Sequence, residues 1–210
     1  MAHGLELLGE RWALFIVREL MLGPRRFGDL RGDLPGLSAN VLTQRLSELE
    51  ARCVLHKRKL PPPASVQVYE LTPWGYEAEV IVQELGRWAV RSPGHDPTMP
   101  ISGVSILLSF RTMIDRARIG DLDLSLGFRF GEDGYRGHLD ASGFTVAQGD
   151  PEDADLLFEG TPDGLAGFVH GGIPCEELHE AGVLTITGNR TKAAHFRTLF
   201  PLPDKFTLPG

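Results

Sequence analysis

The chain has 210 residues, of which 42% are hydrophobic and 23% are charged, and its formal net charge is −7. It contains no run of the roughly 18 uncharged apolar residues that a membrane-spanning helix needs, and its first apolar stretch carries Glu6, Glu10 and Arg11, unlike a secretory signal. Its two cysteines are too few for a disulfide framework. We therefore expect a cytoplasmic protein with no membrane partner.

Helical periodicity dominates the first fifty residues. Gly23-Pro24 would end a first helix, whose apolar residues fall near one face: Leu5, Leu8, Trp12, Phe15 and Leu20. A second, short helix is predicted over Phe27–Leu34, where Pro35-Gly36 would stop it. Ser38 can cap a third helix through its side-chain oxygen. The buried side of this third helix would carry Leu42, Leu46 and Leu49.

A basic hairpin and a further helix are predicted next. The run "VLHKRKL", the proline-rich tip "PPPAS" and the run "VQVYEL" indicate two strands joined by a loop. Thr72 would cap the following helix, with Pro73 at its first position. Apolar residues of this helix follow the 4-3-4-3 spacing of a two-helix seam: Trp74, Ala78, Ile81, Leu85 and Trp88. The partner of this seam is either the same helix of a second chain or the first helix of its own chain.

The face of the third helix opposite its leucines is polar and almost uncharged. It carries Asn40, Thr43, Gln44 and Ser47, with Arg45 beside them. Most such faces are only solvated surface. Asn and Gln, however, can pair with adenine, and Thr can contact a thymine methyl group. Composition alone does not decide between these two interpretations.

The order of the elements favours DNA. A short helix, a Pro-Gly turn and a capped helix form a helix-turn-helix, and the basic hairpin supplies a wing. We predict that double-stranded operator DNA is the partner and that its bases are read by Asn40, Thr43, Gln44 and Arg45. The groups predicted to contact phosphate are Arg25, Arg26, Arg31, Ser38, Lys57, Arg58 and Lys59.

The same residues carry a family resemblance. The segment "GLELLGERWALFIVRELMLGPRRFGDLRGDLPGLSANVLTQRLSELEA", followed by "YELTPWG", resembles the HxlR-type winged-helix transcription regulators of bacteria over about the first 90 residues. This resemblance implies a dimeric DNA-binding regulator whose helix at Ser38–Arg52 enters the major groove. Asn40 stands where many relatives have lysine, so base preference need not transfer. The cysteine of redox-sensing members, just ahead of the first helix, has no counterpart, and thiol sensing is not expected.

A linker is predicted between two domains. The stretch "SPGHDPTMP" holds three prolines and a glycine in nine residues. On its N-terminal side, residues 1–92 contain 12 Lys and Arg against 11 Asp and Glu, whereas residues 93–210 contain 9 against 17. The acidic net charge therefore belongs to the second half and does not argue against DNA binding by the first. We predict a DNA-binding and dimerisation domain over 1–92, a linker over 93–100 and a second domain over 101–210.

The second half changes to an α+β pattern. A helix is predicted from Ile106, Phe110, Met113 and Ala117, and "DLDLSLGFRF" alternates strictly, as a strand does. Turns at "GEDG" and "DASG" predict an antiparallel meander. The strand "ADLLFEG", helices over 163–170 and 174–180, the strand "VLTITG" and a last helix with Ala193, Phe196 and Phe200 complete the pattern. We predict a mainly antiparallel sheet covered by helices.

Residues 101–202 are similar to the sterol-carrier-protein-2-like fold, on the segment "ADLLFEGTPDGLAGFVHGGIPCEELHEAGVLTITGNRTKAAHFRTLF". This resemblance implies a pocket for an apolar small-molecule effector between sheet and helices. The residues assigned to such a pocket are Phe110, Leu124, Leu126, Phe128 and Phe196. The alternative is that the same side chains simply fill a core, and residue type does not separate the two.

The sequence indicates no enzyme. It has no G-x-S-x-G nucleophile turn and no glycine-rich phosphate loop. His170, Cys175 and His179 lie in one segment, and the last two are four residues apart, but no fourth ligand is evident, so we predict no metal site and no cofactor. The predicted function is a homodimeric DNA-binding transcription regulator modulated by an apolar molecule. The alternative is a carrier of apolar molecules whose N-terminal half serves mainly for dimerisation.

Overall fold

A computed structural model describes residues 2–208 of the chain. The chain divides into two compact units, of which Val82 ends the first and Gln83 begins the second. This division falls inside a helix, Glu79–Ala89, and precedes the predicted boundary at residues 92 and 93. The proline-rich stretch 93–100 is irregular and exposed. No helix within residues 2–208 is long and apolar enough to cross a membrane.

The first unit is built from helices and one hairpin. Its elements are α1 (Ala2–Leu8), α2 (Ala13–Glu19), α3 (Phe27–Asp33), α4 (Ala39–Ala51), β1 (Leu55–Lys59), β2 (Gln67–Leu71), α5 (Pro73–Tyr76) and the start of α6 (Glu79–Ala89). The turn between α3 and α4 needs Gly36, whose φ of +86° suits glycine. Ser38 then caps α4 by accepting a hydrogen bond from the backbone N–H of Val41. Helix α3, the turn and helix α4 confirm the predicted helix-turn-helix.

The hairpin is also confirmed, as an antiparallel pair in which Leu55 lies opposite Leu71 and Lys59 opposite Gln67. The leucines predicted on the buried side of α4 are all within the core: Leu42, Leu46 and Leu49. Burying one leucine side chain stabilises a fold by about 1.5–3 kcal/mol, so this row contributes strongly to the position of α4.

Two of the predicted helices are each broken into two. The first becomes α1 and α2, which are separated by the non-helical residues 9–12. As a result Leu5 and Phe15 are exposed, and the buried face of α2 is formed by other residues: Ala13, Ile16 and Val17. The helix capped by Thr72 is also interrupted, and α5 and α6 are separate.

The second unit combines a five-stranded sheet with helices. After the end of α6 its elements are α7 (Gly103–Met113), β3 (Leu124–Phe130), β4 (Asp133–Asp140), β5 (Gly143–Gln148), β6 (Leu156–Gly160), α8 (Pro162–Val169), α9 (Cys175–Glu180), β7 (Leu184–Gly188) and α10 (Arg190–Phe196). The strand order is β5-β4-β3-β6-β7, and only β3 and β6 pair in parallel. The mainly antiparallel α+β prediction is confirmed, but the meander is limited to β3, β4 and β5.

The core of the second unit is rich in aromatic rings. The ring centroids of Phe110 and Phe200 are 4.5 Å apart, those of Phe196 and Phe200 4.9 Å, and those of Phe128 and Phe158 5.2 Å. The five residues predicted to line a ligand pocket are all 0% exposed: Phe110, Leu124, Leu126, Phe128 and Phe196. In this structure they are core residues, because helix and sheet side chains pack directly against one another.

Two smaller predictions for this unit are wrong. Strand β3 begins at Leu124 and not at Asp121. Helix α7 ends at Met113, so Ala117 lies beyond it and is exposed. In both cases the apolar periodicity of the sequence extends beyond the residues that form the element.

Candidate nucleic-acid interface

Helix α4 presents one polar face to solvent. Asn40, Thr43, Gln44 and Ser47 are all exposed, while the leucines of the same helix are buried. The Ser38 cap and the leucine row fix the rotation of the helix, so this face is set by the fold. The hydroxyl of Thr43 donates to the carbonyl of Ala39 at 2.9 Å. The face offers amide and hydroxyl groups, which can form hydrogen bonds with base edges.

Gln44 has a partner on its own helix. Its Nε2 atom donates to Oε1 of Glu48 at 2.9 Å. This hydrogen bond, followed by the one from Arg45, holds the pKa of Glu48 below its ordinary value. Glutamine and glutamate four residues apart are neighbours on a helix surface. The amide of Gln44 also has a second N–H and a carbonyl oxygen, which are the groups that would contact a base edge.

Arg45 lies apart from the other predicted base readers. Its guanidinium pairs with Oε2 of Glu48 and, 3.0 Å away, with Oε2 of Glu10. Its side chain is largely buried by these contacts. The structure thus places Arg45 as a link between α4 and the segment before α2, and not on the exposed polar face.

The three arginines predicted around α3 differ in placement. Arg26 and Arg31 are exposed, and neither forms an ion pair with another residue of the described chain. Arg25 is only 4% exposed and pairs with Oδ2 of Asp33. Its backbone N–H also donates to the carbonyl of Tyr69, whose own N–H donates back. Arg25 is therefore a structural link to the hairpin, and its side chain is buried, unlike those of Arg26 and Arg31.

The wing carries three consecutive basic residues on β1. Nζ of Lys57 lies 3.0 Å from Oε2 of Glu50, and this contact raises the pKa of Lys57. Arg58 pairs with Glu70 on the neighbouring strand, which raises the pKa of Arg58. Lys59 is exposed and makes no ion pair within residues 2–208. One basic group on the wing is thus immediately available, and two are held by carboxylates.

These basic residues share a shallow hollow. Lys57, Arg58 and Lys59 line it together with Ser65 and Gln67, and its volume is about 390 Å³. The hollow lies on the hairpin, beside the loop that joins its strands. Clustered cations with neighbouring hydroxyl and amide groups suit the oxygens of a phosphate backbone.

Helix α6 exposes an apolar face. Ile81 is 50% exposed, Leu85 45% and Trp88 73%. Trp74, at the start of the predicted seam, is also exposed but lies on the separate helix α5, and Ala78 is buried. Each of the three large side chains on α6 therefore leaves nearly half or more of its surface exposed in residues 2–208. An exposed apolar row of this kind marks an interaction surface.

The acidic partners of the basic residues were missed by sequence reasoning. Glu50, Glu70 and Asp33 each neutralise one predicted phosphate contact. The hairpin register places Glu70 opposite His56, two residues from Arg58 and on the same face of the strand, so this pair had a signal in the sequence. The pairs of Glu50 and Asp33 bring together residues from different elements and had none.

The helix-turn-helix, the basic hairpin and the exposed polar helix face define a winged helix-turn-helix protein. A model of the HxlR-like helix-turn-helix family matches residues 7–96. The HTH-type transcriptional regulator YodB of Bacillus subtilis (strain 168) is 35% identical over 89 residues, which are 42% of this chain and 80% of YodB. YvaP, an HTH-type transcriptional regulator of the same organism, is 39% identical over 85 residues, 40% of this chain and 78% of YvaP. The chain belongs to the HxlR-like helix-turn-helix family.

Among solved structures, the reduced form of YodB from B. subtilis is 33% identical to this chain, with a TM-score of 0.41. The match covers 46% of this chain and 95% of the YodB chain. The family match ends at residue 96, within the stretch that follows α6. The resemblance of residues 101–202 to the sterol-carrier-protein-2-like fold stays a prediction.

Proposed function

We propose that this protein is a transcription regulator that binds a specific duplex operator as a homodimer. The observation that carries the proposal is the exposed, uncharged face of α4, oriented by the Ser38 cap and flanked by basic groups on the wing. In a winged helix-turn-helix the second helix enters the major groove, and phosphate contacts on either side hold it there. The names of YodB and YvaP, both transcriptional regulators, support this function.

The proposal assigns base contacts to Asn40, Thr43 and Gln44, which share the exposed face. Lys59, Arg26 and Arg31 are assigned to phosphates, because they are exposed and carry no ion pair in the described chain. The remaining basic groups of the wing, Lys57 and Arg58, would contact phosphate after leaving Glu50 and Glu70. Ser38 stays in the proposal as a capping residue at the DNA-facing end of α4.

Dimerisation is proposed through the exposed row on α6: Ile81, Leu85 and Trp88. Two copies related by a two-fold axis would match a palindromic operator whose half-sites lie about one helical turn, roughly 34–36 Å, apart. A second chain is the occupant favoured by the regular spacing of these residues, since the spacing is that of two packed helices.

The carrier alternative has less support. The five residues assigned to an apolar pocket are all 0% exposed, and the ring centroid of Phe196 lies 5.8 Å from that of Phe110 and 6.5 Å from that of Phe128. The family match covers residues 7–96, which the carrier interpretation treats as accessory. The proposal therefore contains no effector bound among these five residues.

A mobility-shift assay with the DNA that flanks the protein's own coding region tests the proposal. Specific binding should exceed binding to an unrelated duplex by a factor of about 10³ or more at physiological salt. Competition with the unrelated duplex provides the control. Equal affinity for both duplexes, or binding of neither, would contradict the proposed function.

A further inference from the structure

The second unit contains a cleft between α9, β7 and α10. Its volume is about 530 Å³, within the range of roughly 300–1,000 Å³ that small-molecule sites occupy. None of the five core residues assigned to an apolar pocket lines it. It is therefore a different place from the predicted pocket.

One side of the cleft is apolar. Phe168 and Ala193, both buried, and Ile186, half-buried, contribute to this side. Ala194, on the same helix as Ala193, is exposed within the cleft. Side chains this small leave the space between α10 and β7 unfilled, and the apolar surface around that space remains open to a ligand.

The other side of the cleft carries charge. Nη1 of Arg190 lies 2.9 Å from Oε1 of Glu176, so these two groups neutralise each other. Glu180 is exposed to water at the end of α9. Arg197 is half-buried and has no carboxylate partner in the part of the chain that the structure describes.

Arg197 is nonetheless held in a defined position. Its guanidinium lies 5.4 Å from the ring centroid of Phe168, and Nη2 donates to the carbonyl of Gly172 at 3.1 Å. A fixed guanidinium with free N–H donors beside an apolar wall fits the carboxylate of an amphipathic ligand. Because the side chain is already ordered, little conformational entropy would be lost when an anion binds.

We propose that this cleft binds a small amphipathic carboxylate, whose anionic group contacts Arg197 and whose apolar body lies against Phe168, Ile186 and Ala193. The site goes beyond the proposed DNA-binding function and does not depend on it. Among the residues that line the cleft, Arg197 is the half-buried charged group that has no counter-ion in residues 2–208. Its charge is positive, so an anion is favoured over a cation.

Cys175 provides a reporter inside the site. Its thiol lines the cleft, and burial together with the hydrogen bond to Glu176 raises its pKa. The other cysteine, Cys53, is exposed and lies in the first unit. In the full-length Cys53→Ser variant, alkylation by N-ethylmaleimide therefore reports on Cys175 alone, and a ligand in the cleft should slow it.

The probes are 1-naphthoate, decanoate and the neutral analogue 1-naphthalenemethanol. We expect 1-naphthoate or decanoate to protect Cys175 in a saturable manner and to raise the Tm of the full chain. The neutral analogue should bind about tenfold or more weakly, because a hydrogen bond to a charged group is lost. If neither anion protects Cys175 at millimolar concentration, the proposal is wrong.

Three variants locate the site. Arg197→Gln should weaken binding of the anion about tenfold or more and leave the neutral analogue unchanged. Lys192→Gln also removes one positive charge, but Lys192 lies on α10 and does not line the cleft. The affinity for the anion should therefore not change. Ala194→Trp should fill the cleft and abolish protection by all probes. Equal affinity of the Arg197→Gln variant and the parent protein, with both folded by circular dichroism, would overturn the assignment.

The alkylation and Tm measurements are made without DNA. Loss of the cleft site would therefore leave the proposed DNA-binding function standing, and loss of operator binding would leave the cleft site standing.

Discussion

Lys57 on the wing is joined to Glu50 on helix α4. Nζ of Lys57 lies 3.0 Å from Oε2 of Glu50, and the backbone N–H of Lys57 donates to Oε1 of the same carboxylate at 3.3 Å. The ion pair lowers the pKa of Glu50 and raises that of Lys57. Both side chains are well exposed, so the pair adds little to stability. In the proposed complex with DNA, Glu50 would compete with a phosphate for Lys57.

Replacing Glu50 by Gln should therefore tighten DNA binding. The variant keeps an acceptor for the backbone N–H of Lys57 and removes the competing charge. We expect the affinity for specific and unrelated duplexes to rise about two- to fivefold. This gain corresponds to the free energy of a weak surface ion pair. Fluorescence anisotropy titrations measure it, with Glu132→Gln, an exposed carboxylate of the second unit, as the control. Weaker binding by the Glu50→Gln variant would contradict this role.

Removing the cation itself should have the opposite effect. Lys57→Ala should weaken binding to all sequences and reduce the slope of log affinity against log salt by about one unit. The measurement is the same titration at several salt concentrations. An unchanged slope would place Lys57 outside the phosphate contacts.

Gln44→Ala should alter specificity. We expect a loss of about 1–3 kcal/mol on the cognate site, with binding to unrelated DNA nearly unchanged, because an amide contact to a base edge is lost. Arg45→Ala provides the contrast. Arg45 pairs with Glu10 and Glu48, so its loss should lower the Tm and leave discrimination between duplexes intact. If Gln44→Ala weakens both duplexes equally, the exposed face of α4 does not read bases.

Leu85→Glu should produce a folded monomer. The substitution places a charge in the centre of the exposed apolar row of α6, where a two-helix interface would have to bury it. Gly86→Glu introduces the same side chain one position along, where an added Cβ meets no atom within 4 Å. Sedimentation velocity at micromolar concentration should show a dimer for the parent and for Gly86→Glu. A parent protein that sediments as a monomer would refute the dimer.

Local patterns predicted the exposed polar face of α4 well. The cap at Ser38 and the spacing of the leucines on α4 depend only on neighbouring residues, and the structure has both as expected. The basic hairpin was predictable for the same reason. These signals are periodic and lie within single elements, so one sequence is enough to detect them.

Properties that depend on distant residues were not predictable. Arg25 resembles an exposed cation in the sequence, but its side chain is only 4% exposed and pairs with Asp33. Strand β6 pairs in parallel with β3, which no turn between neighbouring strands could indicate. Phe110 and Phe196 suit a ligand pocket or a filled core equally well until their neighbours are known.

Gly75→Ala should destabilise the first unit. A Cβ at Gly75 would lie 2.0 Å from the carbonyl oxygen of Val54, so the hairpin or the start of α5 would have to move. We expect a loss of about 1–3 kcal/mol in the free energy of unfolding. Gly28→Ala is the matched control, because a Cβ there meets nothing within 4 Å, and in helix α3 it should be neutral or stabilise by up to about 1 kcal/mol. Urea unfolding that shows equal stability for both variants would contradict this account.

His170 should make the second unit less stable at mildly acidic pH. The residue follows helix α8, and its ring centroid lies 5.8 Å from that of Phe110. Burial lowers its pKa from the ordinary value of 6.5, and the nearby backbone of Phe200 opposes this shift only in part. The folded state therefore takes up the proton at a lower pH than the unfolded state does.

The sign of the pH dependence follows from this difference. Above pH 6.5 the imidazole is neutral in both states, and the stability linked to it is fully present. As the pH falls below that value, the unfolded state binds the proton first, and the free energy of unfolding decreases until the folded state is protonated as well. Urea unfolding between pH 8 and pH 5 should show this decrease for the parent protein and a smaller one for His170→Asn. His95→Asn, an exposed histidine of the proline-rich stretch, should leave the decrease unchanged. An identical pH dependence in the parent and in His170→Asn would show that His170 is not the group responsible.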